Sequence, residues 1–132
     1  MNDVKFSGES GMQKVVFENI VDVFAGGVHI DPLSAAKYAS SDPKVIPAGT
    51  LIGRKETGGL HEIVTFDVGG ELEATPLGLT HFDVMLDDMP LAAVVLSGTV
   101  RVEALPDDEQ ENWEKIAAKL PRITFVGEST IV

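Results

Sequence analysis

Three histidines, His29, His61 and His81, stand beside the carboxylates Asp31, Glu62 and Asp83. Imidazole next to carboxylate is ligand chemistry for zinc, iron or manganese. The three lie far apart in the sequence, however, without the four-residue helical spacing of an HExxH site. The chain also holds 21 acidic residues, so a carboxylate near any histidine follows from composition. They are read as strand or surface histidines, and no metal is expected. Asp83, Asp87 and Asp88 form a second acidic cluster. Paired carboxylates do glycosidase-type work when their surroundings split their pKa values. Two of these three fall in the polar stretch Leu86-Asp87-Asp88-Met89-Pro90, where water keeps both ionised, and EF-hand spacing is missing.

Other chemistries are also unsupported. With no cysteine, thiol nucleophiles, disulfides and Cys-type zinc sites are excluded. The pairs Gly26-Gly27, Gly58-Gly59 and Gly69-Gly70 follow neither GxxxxGK[ST] nor GxGxxG, and no serine sits in GxSxG. Catalytic, cofactor-binding and metal residues are all expected to be none, and the chain is read as a non-enzymatic structural or interaction protein.

Charge narrows the partners. Ten basic residues against 21 acidic ones leave −11 at pH 7. Nucleic-acid binding needs clustered Lys and Arg to neutralise phosphates, and anionic membranes need the same, so neither partner is expected. Residues 1–11 lack the apolar stretch of a signal peptide, and no apolar run approaches the ~20 residues that cross a bilayer. A soluble protein made in a bacterial cytoplasm is expected.

The elements that would position these residues are mostly strands. With 132 residues, 44% of them apolar, one domain with a real core is expected. Residues 1–24 read as an N-terminal arm with a flexible start and β-prone patches; residues 25–132 read as the β-rich domain. The alternative for Val15 to Phe24 is an ordinary strand of that domain. Glycine pairs are read as turns. Thr80 to Asp87 alternates, with Phe82, Val84 and Leu86 on one face. Leu91 to Leu105 reads as a hairpin turning at Ser97-Gly98. Pro106 leads into one helix, with Asp107 and Gln110 spaced as a capping box and Glu111–Lys115 as an i,i+4 pair. Trp113, Ile116, Ala117 and Leu120 line one helical face, making Trp113, Ile116 and Leu120 its core residues. The fold class is α+β, predominantly β: a small β-barrel or sandwich-like domain with one C-terminal amphipathic helix and an N-terminal arm.

The C-terminal half carries an ordered set of pieces. Thr75-Pro76-Leu77-Gly78-Leu79 precedes Ser97-Gly98-Thr99-Val100-Arg101-Val102-Glu103; a proline and an acidic helical segment follow, then Phe125-Val126-Gly127 and a final Ile131-Val132. This order resembles the head decoration protein family of bacteriophage lambda, where the matching stretch reads Ser-Gly-Thr, aromatic, Arg, aromatic, Glu. Val45-Ile46-Pro47-Ala48-Gly49-Thr50 resembles that family's lead-in to its first core strand. The likeness covers residues 45–132; valines replace the family's aromatics at 100 and 102. It implies a homotrimer at local threefold axes of the capsid's outer surface, stabilising the shell by binding the major capsid protein. It further implies an arm that orders as a strand against the shell, with Val4, Phe6, Val15, Val16 and Phe17 as contact candidates. The rival readings are another phage virion component, such as a head fibre or tail protein, and a small β-barrel metal-dependent enzyme or ligand-binding protein.

Overall fold

A computed structural model of the chain describes residues 16–40, 44–55, 59–87 and 89–127. Of the contact candidates, Val4, Phe6 and Val15 lie outside them, as do Gly58, Asp88 and the closing Ile131-Val132. The fold is α+β and predominantly β. Its strands are β1 (Phe17–Val23), β2 (Val28–His29), β3 (Val45–Ile46), β4 (Leu51–Arg54), β5 (His61–Ile63), β6 (Pro76–Thr80), β7 (Val84–Met85), β8 (Leu91–Ala92), β9 (Val94–Arg101) and β10 (Ile123–Val126). Two short helices, α1 (Asp107–Glu111) and α2 (Trp113–Lys119), precede β10, and 3-10 turns span Pro32–Tyr38 and Val102–Ala104.

β9 organises the main sheet, whose order is β1-β9-β6-β4-β5 with β10 also on β9. Val95 pairs with both Val23 of β1 and Leu79 of β6, while Gly98 pairs with both Ile20 of β1 and Ile123 of β10. A strand has two hydrogen-bonding edges, so β1 takes one, and β6 and β10 divide the other. Two small antiparallel pairs, β2–β8 and β3–β7, lie outside this sheet.

Strand alternation sends successive side chains to opposite faces, and both faces here are packed. Leu51 joins a cluster with Leu79, Val100, Leu105, Ile116 and Phe125; its neighbour Ile52 joins Ile30, Ala35, Ile46, Ile63 and Val94. The helices supply the first cluster and the Pro32–Tyr38 turn the second.

Five local expectations are corrected. Ser97-Gly98 does not turn the chain, since β9 runs straight through it. Gly98 is there for close approach: a Cβ would sit 2.4 Å from the Asn19 carbonyl oxygen on β1. The capping box does not form, because Pro106 occupies the N-cap and its carbonyl accepts the Gln110 N–H at 2.8 Å, leaving Asp107 already helical. The helix is also in two pieces meeting at Asn112 (φ −111°, ψ 24°). Lys115 consequently bonds Glu71 Oε2 at 2.8 Å and the Gly69 carbonyl at 2.9 Å, where Glu111 was expected. Finally, Phe82 does not share a buried face with Val84: it precedes β7, is 52% exposed and stacks on His81 at 3.7 Å.

Candidate interaction surface

The histidines do not converge. His29 is exposed on β2, opposite Leu91. His61 on β5 is buried edge-on to Phe24, and neither ring nitrogen has a hydrogen-bond partner among the described residues. Burial holds its pKa below the usual histidine value, helped by Arg54, its cross-strand neighbour. His81 is pushed the same way by burial, with Phe17 edge-on to it at 5.8 Å. Among the described residues no three His, Asp or Glu side chains are grouped as a metal would need.

Two of the three carboxylates near those histidines, Asp31 and Asp83, hold backbone instead. Asp31 caps the 3-10 turn by accepting the Leu33 N–H at 3.0 Å, and its other oxygen meets Lys55 Nζ at 2.6 Å. The Lys55 bond, then the Leu33 N–H, keeps the Asp31 pKa below the usual carboxylate value. Asp83 accepts the Ala48 N–H at 2.8 Å, fixing the turn after β3, and Asp87 accepts the Met89 N–H at 3.0 Å. A side chain that sequence pattern did not single out is Glu109 in α1. It is fully buried, its Oε2 accepting the Leu51 N–H of β4 at 3.0 Å while Oε1 has no partner among the described residues. Burial drives its pKa upward, opposed by the Leu51 hydrogen bond and the Lys37 charge.

Of the contact candidates within the described residues, Val16 is buried in the helix-side core, and its carbonyl accepts the Arg101 N–H at 2.8 Å. Phe17 is half-buried at the start of β1. Val16 and Phe17 therefore pack within the domain, and Phe17–Val23 is a strand of its main sheet. Ile116 and Leu120 are buried in the same core, while Trp113 is partly buried with its ring 6.1 Å from Phe125.

The exposed apolar residues concentrate elsewhere. β7 turns Val84 inward and Met85 outward, and β8 turns Ala92 inward and Leu91 outward. Phe82 at 52%, Met85 at 67%, Met89 at 47% and Leu91 at 55% exposure all fall within ten residues of chain. Phe82 and Leu91 line one open cavity of about 350 Å3 together with Gly26, Gly27, Val84 and Ala92. Exposed apolar side chains that meet at one cavity, as Phe82 and Leu91 do, mark protein–protein, membrane or ligand-binding sites. Their alternation was legible in the sequence, but which side faced water was not. No helix among the described residues is long and apolar enough to cross a membrane. Compared with family models, curated proteins and solved structures, the chain has no match in any of the three.

Proposed function

We propose that the chain is a phage head decoration protein: it binds the outside of the capsid as a homotrimer at local threefold axes and stabilises the shell by contact with the major capsid protein, without catalysis. The observation that carries this reading is the ordered set of C-terminal pieces that resembles that family's. In the fold these pieces are neighbours. Thr75–Leu79 lies largely in β6, Ser97–Arg101 in β9 and Phe125–Val126 in β10, and β9 bonds both of the other strands. The exposed apolar stretch from Phe82 to Leu91 gives a binding protein a surface to use.

The test is localisation on purified virions by electron microscopy with a tagged chain. Density at threefold positions on the head is the expected result. Density on the tail, or none on the virion, overturns the reading, the former in favour of a tail component.

A further inference from the structure

The stretch from Phe82 to Leu91 exposes four large apolar side chains, Phe82, Met85, Met89 and Leu91, and Phe82, Asp83 and Leu91 line one cavity. Residues 80–93 contain Asp83, Asp87 and Asp88 and no Lys or Arg. Asp83 and Asp87 are exposed, and each spends a carboxylate oxygen on a backbone N–H, which fixes its position. Lys44 stands beside this stretch, its carbonyl accepting the Leu86 N–H. The cavity floor is preformed, since Gly27 lies against the Ala92 carbonyl so closely that a Cβ there would sit 2.9 Å from its oxygen. Two of the four exposed side chains are methionines, which adapt to irregular partners.

From this we infer that the Phe82–Leu91 surface is a docking site for a basic amphipathic segment of a partner protein, with an apolar side chain seated between Phe82 and Leu91 and Lys or Arg residues against Asp83 and Asp87. Charge complementarity selects this occupant. A second copy of the chain would bring its own −11 charge to a surface already acidic, whereas a segment with basic residues flanking an apolar anchor matches both features. The inference holds whether or not the partner is a capsid shell.

The test uses the full chain with 13C-methyl methionine and two synthetic peptides of equal length, one alternating leucine with lysine, the other with glutamate for every lysine. The lysine peptide is expected to shift the Met85 and Met89 methyl signals and to bind less tightly as salt rises. Phe82→Ala with Leu91→Ala should weaken it at least tenfold. Asp87→Asn, which keeps the oxygen that accepts the Met89 N–H, should weaken it a few-fold. Val68→Ala, at an exposed site elsewhere, should leave it unchanged. Equal binding of both peptides, unchanged affinity in the double variant, or methyl shifts confined to other methionines would each overturn the inference. So would concentration-dependent self-association abolished by the double variant, since that assigns the surface to a second copy.

Discussion

Replacing Glu109 with Gln tests how burial and charge compete inside this fold. Glu109 reaches from α1 to the backbone of β4 with no exposed surface, and one carboxyl oxygen is unpartnered among the described residues. Facing it are Lys37 and Tyr38 from the 3-10 turn and Asp108 from its own helix. Burial raises its folded pKa above the unfolded value of about 4.3. The folded state therefore binds more protons than the unfolded one as pH climbs between the two. The carboxyl's contribution is fully present below the unfolded pKa and is lost as pH rises through the folded pKa, by about 1.4 kcal/mol per pH unit in between. Gln keeps an oxygen for the Leu51 N–H and has no proton to lose. Urea unfolding followed by fluorescence of Trp113, the only tryptophan, should thus show Glu109→Gln gaining on the parent as pH rises above the ordinary glutamate pKa, and levelling off once pH has passed the folded pKa. His61 and His81, with lowered pKa values, give both proteins an opposite slope below about pH 6.5 that cancels in the difference. A difference that does not grow as pH rises above the ordinary glutamate pKa refutes the reasoning. Glu109→Ala leaves the buried Leu51 N–H without an acceptor and should cost about 2–4 kcal/mol at acidic pH, a cost that shrinks as pH rises by the same linkage as for Gln.

Three further outcomes are expected. Gly98→Ala drives a methyl into the Asn19 carbonyl and should cost about 2–3 kcal/mol in urea unfolding, whereas Gly26→Ala, at φ 80° with open space around it, should cost only about 1 kcal/mol. Ile116→Ala removes a fully buried side chain from the helix-side core and should cost about 2–5 kcal/mol in the same assay. Asp31 has a lowered pKa, so its contribution is present above the ordinary carboxylate pKa and lost as pH falls through the folded value. Asp31→Asn should therefore flatten the acid limb of a circular-dichroism titration below about pH 4, and an unchanged limb would contradict the role given to Lys55.

What the sequence made legible was local. The turns at Gly26-Gly27 and Gly70 with their positive φ, and the inward face of Ile116 and Leu120, depend on near neighbours, and each stands in the fold. Ser97-Gly98 was misread because its reason is distant: a glycine that admits a strand some eighty residues earlier looks, in sequence, like a glycine that turns. Pro106 misled in the same direction, since a proline before Asp107 reads as a lead-in to a cap when it is the cap residue itself. Glu109 could not be distinguished from its neighbours Asp107, Asp108 and Glu111, because only the packing of α1 against β4 buries one acid of the four. The Phe82–Leu91 surface was half visible: the pattern set which residues alternate, and the packing beneath decided which set faces water.

The way β1 and β10 flank β9 has a mechanical consequence. Phe17 pairs with Val100 and Val126 with Arg101, so the first and last described strands meet the same end of β9 from opposite edges. A load applied at residues 16 and 127 would pull across the strands and not along them. It would open the hydrogen bonds of each ladder one at a time, as a zipper opens, where shear would load them together. Pulled apart at residues 16 and 127, the described fold gives way strand by strand. If it reinforces anything, the force has to enter through its packed faces.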